Sequence, residues 1–236
     1  FKATSSKPYS KNYKITNEDF NTMELTRNGF PRVVVTGMSV VSPLGHTVEA
    51  LWDKLKQGIS GAKKVTSELM NTRLLEVLIA AYIDDFDPDP YVSKKESRRI
   101  GRCAQFTLSA THKMLADSGL TEDELARDCE RSAVVVGTGL GSFDTLVDGI
   151  IEFRGSEKFR PRPFALAMGL TNMQAHYVSR ETKAVGPIIP VTSACAAGTQ
   201  AIIQGVELIR AGKVERVFAG GTDSTMTDYA LAVFDS

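Results

Sequence analysis

The sequence is poor in the residues that most often announce a special chemistry. Its 236 residues include three cysteines, three histidines and one tryptophan. Cys103, Cys129 and Cys195 are odd in number, widely spaced and free of any Cys-x-x-Cys pair. This argues against a disulfide framework or a zinc knuckle and fits a reduced, cytoplasmic setting. His46, His112 and His176 are scattered, away from any cysteine or acidic cluster of metal-ligand spacing, so no metal site is expected. An excess of either charge is also lacking, because 28 Lys and Arg balance 28 Asp and Glu. Bulk charge therefore gives no reason to expect nucleic acid or an anionic membrane as partner, and any charge recognition must be local. Apolar runs are short and interrupted, so neither a transmembrane helix nor membrane insertion is expected. The first residues lack the apolar core of a signal peptide.

What remains is an ordinary globular composition, 42% hydrophobic and 24% charged. The length suits one large domain or two small ones. Residues 1–30 are polar with little periodicity and read as a mobile extension, with Met23 as a candidate native start. Arg32-Val-Val-Val-Thr36 reads as a buried strand and Ser42-Pro-Leu-Gly45 as a turn. Thr47 is placed to cap a helix that runs through Leu55 and ends at Gly58. Asp84–Pro90 reads as loop. A helical stretch starts at Ser93, basic at first (Lys94, Lys95, Arg98, Arg99, Arg102), and runs to Leu120 with Gly119 near its end.

Ser132–Val136 is a second buried strand, closed by Gly137-Thr-Gly-Leu-Gly141. Residues 154–163 are basic, 169–180 look helical, and Gly186–Thr192 is a third strand. A helix is expected from about Ala196 to Ala211, and Val214–Ala219 forms a fourth strand ending at Gly220-Gly221. Alternating strands and helices indicate an α/β layered fold, and no internal repeat is visible.

One junction stands out. Strand, then Ser193-Ala-Cys-Ala-Ala-Gly198, then helix, places Cys195 near a helix N-terminus. Unpaired backbone N–H groups and the positive dipole end favour a thiolate there, the reactive form of the thiol. The same N–H groups suit an oxyanion on a thioester carbonyl. Small neighbours leave room for a carbonyl to approach. On position alone, a nucleophile and a small buried core cysteine both remain open readings; Cys103 and Cys129 have no such setting and read as structural. The glycine turn 137–141 is similar to a phosphate cradle but lacks a P-loop lysine, which makes it weak evidence for a nucleotide.

Ser193-Ala-Cys-Ala-Ala-Gly198 resembles the active-site motif of the β-ketoacyl-[acyl-carrier-protein] synthases. Arg32–Met38, Ser42–Gly45, Lys95-Glu-Ser-Arg-Arg99, Asp117-Ser-Gly-Leu120, Gly137–Gly141, Asn172-Met173, Gly186-Pro187 and Gly220-Gly221 fall in that family's order and at similar spacing. The resemblance covers about residues 31–236 and is nearest to the elongating synthase II type. It implies a thiolase-like fold of layers α-β-α-β-α, of which this sequence supplies the first half and the start of the remainder. It also implies that residues 31–236 form one domain.

The resemblance further implies that Cys195 takes an acyl group from acyl carrier protein as a thioester. Malonyl-ACP then loses carbon dioxide, and the carbanion attacks that thioester to give 3-oxoacyl-ACP. No cofactor is implied. Leu140, Ala194 and Phe234 match acyl-pocket positions, although each is also consistent with core packing. Lys95, Arg98 and Arg99 match a basic patch for the acidic carrier protein, extended by Lys158, Arg160 and Arg162, where a solvated surface is the alternative. Strand Gly186–Thr192 matches the strand that pairs with its twin in a homodimer.

In that family two histidines, a lysine and a late glycine-rich loop come from the second half. His46, His112 and His176 sit in no matching motif and read as structural or surface residues. The sequence is therefore expected to be a fragment that cannot run the condensation alone. Two other readings stand beside this one: a non-catalytic, chain-length-factor-like partner that binds carrier protein, and a ketosynthase domain of a polyketide synthase.

Overall fold

A computed structural model describes residues 26–27, 29–67, 70–157, 160–161 and 163–236. The chain separates into two units, Phe1–Val33 and Val34–Ser236. In the first, Thr26–Arg27 (β1) pairs antiparallel with Phe30–Pro31 (β2) across a turn in which Gly29 has φ 78°. The rest of the expected extension, residues 1–25 and 28, lies outside the described residues.

The strand expected at Arg32–Thr36 is not formed. Residues 32–41 adopt no regular element, and Val35 is 76% exposed. A β-branched run becomes a strand only where a neighbouring backbone takes up its N–H and C=O groups, and among the described residues none does. Polar bonds tether the following residues to a helix instead. The Met38 N–H donates to Asp117 Oδ2 at 2.7 Å, and the Ser39 hydroxyl donates to the Ala110 carbonyl at 2.7 Å.

The Ser42–Gly45 turn is closed by reciprocal backbone bonds of 3.0 Å. Thr47 caps α1 (Val48–Lys56) by accepting from the Ala50 N–H at 3.2 Å. A short antiparallel pair follows, β3 (Ala62–Lys64) with β4 (Ile79–Ala81). The helical stretch expected from Ser93 is split in two. Ser93 caps a single turn, α2 (Lys94–Ser97), and α3 (Arg102–Ser118) starts only after Gly101, which is extended at ψ 159°. Gly119 ends α3 in the left-handed conformation at φ 68°. Thr121 and Glu124 then form a reciprocal capping box that starts α4 (Glu122–Arg127).

The core is built on β5 (Ser132–Gly137), whose residues are all buried. It is followed by α5 (Phe143–Gly155), α6 (Ala165–Gly169) and α7 (Met173–Thr182), so the helix expected at 169–180 is two elements joined at 170–172. Then come β6 (Ile188–Val191), α8 (Ala197–Arg210), β7 (Arg216–Gly221) and α9 (Asp228–Asp235). The sheet order is β6-β5-β7, all parallel. Side chains alternate faces along a strand. Val134 and Val136 pack with Ala175 and Val178 of α7, whereas Val135 packs with Ala201 of α8. Helices therefore cover both faces of β5, as a parallel sheet requires, and the α/β layering read from the sequence is present.

The N-terminus of α8 meets the sheet backbone to backbone. A methyl group on Gly137 would overlap the Ala197 carbonyl and lie 2.7 Å from Gly198 N, and one on Gly221 would lie 2.6 Å from Gly198 Cα. Neither obstacle is a flexible side chain. Gly137→Ala is expected to cost about 3 kcal/mol of stability, at the upper end of overpacking penalties. Gly139→Ala, whose new methyl would find its nearest neighbours at 3.6 Å, is expected to stay within about 1 kcal/mol of the parent. Denaturant midpoints of the two variants test this, and equal losses would contradict it.

Candidate active site

Three loops gather at the carboxyl ends of three parallel strands, where open α/β sheets place their ligand sites. The turn after β5 is Gly137–Gly141, Cys195 follows β6, and Thr222-Asp223 follows β7. An open cleft of about 470 Å³ is lined by Gly137, Ala194, Cys195, Gly198, Thr222 and Asp223 among others.

Cys195 lies in a 3₁₀ turn, Ala194–Ala196, that leads directly into α8. Ala194 holds φ 51°, a left-handed conformation that L-residues other than glycine seldom adopt. This sharp elbow sets the thiol at the cleft, and Cys195 is exposed. Ala196, which precedes α8, has no side chain able to cap it, and the 3₁₀ turn does so with backbone: the Ala196 N–H donates to the Ser193 carbonyl at 3.2 Å and the Ala197 N–H to the Ala194 carbonyl. The buried Ser193 hydroxyl has no hydrogen-bond partner among the described residues.

Asp223 fills the glycine turn. Its Oδ1 accepts from the Thr138 hydroxyl at 2.9 Å and from the N–H groups of Gly139 (3.0 Å), Leu140 (2.8 Å) and Gly141 (3.2 Å). The turn that looked like a phosphate cradle thus already holds an internal carboxylate. Sequence reasoning missed Asp223. The available signal was that both glycine-rich turns end parallel strands and so must meet at one sheet edge.

A buried polar layer lies beneath the loops. The Cys103 thiol donates to the Thr222 hydroxyl at 3.6 Å, and burial pushes that thiol up to about 12. The Asp144 carboxylate accepts from the Ser224 hydroxyl and from the Thr145 N–H at 2.6 Å. Burial raises it above the ordinary carboxylate value despite these bonds.

Of the three acyl-pocket candidates, Ala194 lines the cleft. Leu140 is 46% exposed at the tip of the turn held by Asp223 and Phe234 is 79% exposed on α9; neither is among the residues that line the cleft. Lys95, Arg98 and Arg99 are exposed on and just after α2, and the Arg99 guanidinium sits over the Phe164 ring at 5.6 Å. Arg160 is exposed, while Lys158 and Arg162 lie outside the described residues. The histidines are elsewhere: His46 is 3.3 Å from Asp85, His112 is 3.3 Å from Glu181, and His176 packs against the Tyr177 ring. Among the described residues no helix is long and apolar enough to cross a membrane.

Comparison with known proteins gives a consistent result. The family model described as "Beta-ketoacyl synthase, N-terminal domain" matches residues 31–236. A Staphylococcus aureus (strain COL) protein named 3-oxoacyl-[acyl-carrier-protein] synthase 2 is 30% identical over 205 residues, covering 87% of this chain and 49% of that protein. A Vibrio harveyi protein of the same name is 33% identical, covering 86% of this chain and 48% of that protein. The chain thus spans about half the length of these curated relatives. A solved structure described as the ishigamide ketosynthase/chain length factor superposes with a TM-score of 0.74 at 28% identity, covering 85% of this chain and 49% of that one. The α/β fold is the thiolase-like fold of these ketosynthases.

The three cysteines give a direct test of the site. At about 12 against an ordinary 9.0, Cys103 holds roughly three orders of magnitude less thiolate than an unperturbed thiol. Iodoacetamide is expected to alkylate Cys195 in the native protein and Cys103 only after unfolding, read by peptide mass spectrometry. Native alkylation of Cys103 at the rate of Cys195 would overturn the assignment.

Proposed function

The chain belongs to the β-ketoacyl synthase family, and from that premise we propose that it carries the acyl-accepting half of a 3-oxoacyl-[acyl-carrier-protein] synthase. Residues 31–236 act as its N-terminal domain. The Cys195 thiolate attacks the thioester carbonyl of an acyl-ACP, the carrier leaves as its thiolate, and the acyl group stays on Sγ. In the complete enzyme, malonyl-ACP loses carbon dioxide, and its carbanion attacks the acyl carbonyl on Cys195. The new carbon–carbon bond gives 3-oxoacyl-ACP and returns the thiolate. The observation that carries this reading is the exposed Cys195 on its strained elbow directly before α8. In this reading the backbone N–H of Cys195 receives the oxyanion of each tetrahedral intermediate. Leu140, Ala194 and Phe234 bind the alkyl chain by burial, at about 0.8 kcal/mol per CH₂.

Lys95, Arg98, Arg99, Lys158 and Arg160 form the docking face for the acidic carrier protein. Exposure of the described members supports this, as do the names of the curated relatives. The chemistry needs no cofactor beyond the carrier. A homodimer forms through the outer edge of β6, an edge strand of its sheet that begins at the exposed Ile188. The remaining length of such a synthase covers the outer face of α8, where Ile202 and Ile203 are more than half exposed. The setting is cytoplasmic fatty-acid elongation. Retention of an exposed nucleophile favours this over a non-catalytic chain-length-factor role.

In the full-length enzyme, Cys195→Ala is expected to lower condensation by at least about a thousandfold, a typical loss for a covalent nucleophile; undiminished condensation would refute the assignment. Charge reversal of Arg98 and Arg99 to Glu is expected to raise KM for acyl-ACP about tenfold at low ionic strength, with the difference shrinking as salt screens the surface. An unchanged KM at low salt would return these residues to ordinary solvated surface.

A further inference from the structure

We propose that Asp223 is a positioning residue for acyl-chain recognition, holding the turn that carries Leu140 against the Cys195 elbow. The proposal rests on the functional reading above and adds to it a residue, not among the acyl-pocket candidates, that sets how a long chain is received.

The geometry begins with two strands that do not end together. After Gly137 and Gly221 the β5–β7 pairing continues: the Thr222 N–H donates to the Gly137 carbonyl at 3.0 Å and the Ser224 N–H to the Gly141 carbonyl at 2.9 Å. Ser142 and Ser224 then form a further parallel bridge. Between these two fixed points one chain spends only Asp223, while the other makes an excursion of three residues, Thr138, Gly139 and Leu140. The excursion leaves consecutive N–H groups converging on one point, a concave nest suited to an anion. Asp223 supplies that anion from the opposite chain.

Four donors on one oxygen are more than an ordinary turn needs. The Gly139 N–H also reaches Oδ2 at 3.0 Å, and the Thr138 hydroxyl bridges onward by accepting from the Gly141 N–H at 2.8 Å. Hydrogen bonds to an ionised acceptor are about twice as strong as neutral ones, so the carboxylate fixes every residue of the excursion. One of them is Leu140, held through its own N–H while its side chain remains half exposed at the turn's tip. The position of its backbone is thus set by this bond. On its other side the turn faces the nucleophile: a methyl group on Gly139 would lie 3.6 Å from both Ala194 Cα and Asp223 Oδ1. Asp223 therefore links the acyl-pocket turn to the elbow before Cys195. The converging donors also draw the carboxylate's charge into the turn, which limits repulsion of a thiolate in the same cleft.

The test uses the full-length enzyme and its Asp223→Ala and Asp223→Asn variants. Acylation of Cys195 is followed by mass spectrometry with a long (C16) and a short (C4) acyl thioester, and iodoacetamide alkylation reports access to the thiol itself. Asp223→Ala is expected to slow long-chain transfer at least tenfold, to slow short-chain transfer less than threefold, and to leave alkylation within twofold of the parent. Asp223→Asn, which keeps one acceptor oxygen, is expected to fall between Ala and the parent on the long chain. Equal slowing at both chain lengths, alkylation that falls in parallel, or long-chain transfer at the parent's rate would each overturn the proposal. A parent whose Cys195 takes no acyl group from either thioester would instead overturn the functional reading on which it stands.

Discussion

The site depends on a contact that no side chain makes. Helix α8 approaches the sheet so closely at Gly137, Gly198 and Gly221 that a single added methyl group on either strand residue would meet backbone. Backbone cannot swing aside, so the approach is fixed in distance and direction. Everything near Cys195 inherits that fixed position. The elbow at Ala194 is set between the end of β6 and the start of α8, and the cleft opens where the helix axis meets the strand ends. Conformational strain at Ala194 costs of order 1–3 kcal/mol and persists only where the surroundings over-determine it. The glycine contact on one side and the fully buried β5 on the other provide that over-determination.

Beneath the cleft, polarity replaces apolar packing. Asp144, Ser142, Ser224, Thr138 and Cys103 are buried around the two loops, and the described bonds tie strand ends to helix starts. Ser142 shows how: its hydroxyl accepts from the Cys103 N–H at 3.2 Å in the first turn of α3. A layer of this kind gains little net stability per bond but is costly to leave unpaired, so it selects one arrangement of the loops over others. The raised Asp144 carboxyl shows that burial outweighs the hydrogen bonds it receives. Such a layer suits a platform that must hold loops in register more than it must add to global stability.

The sequence reading succeeded where local pattern and tertiary context agree. Ser132–Val136 is β-branched and continuous and lies buried between two helix layers. Ser193–Gly198 sits at the strand-to-helix junction that its small residues imply. It failed at Arg32–Thr36, a run of equal β-propensity, because propensity describes a willingness to pair and not the presence of a partner. It joined α2 to α3 because the basic residues Lys94–Arg102 run without a break into the apolar spacing that follows, whereas Gly101 is extended and starts a new helix. It missed the capping box at Thr121 and Glu124, a signature present in the sequence. Asp223 was not legible from local pattern at all. Its partners stand more than 80 residues earlier, and an aspartate after two glycines looks like a surface turn until the parallel pairing of β5 with β7 brings both turns to one edge.

The distribution of charge in the cleft separates the two stages of the proposed chemistry. Acyl transfer to a thiolate needs a placed sulfur, donors for the oxyanion and a surface for the chain, and the proposed function assigns these to the three loops. Decarboxylation needs groups that stabilise a developing enolate. Among the described residues that line the cleft there is no histidine and no lysine, and the one charged side chain, Asp223, is an anion already committed to its own turn. The first stage is thus proposed to belong to this half of the fold and the second to residues contributed from elsewhere.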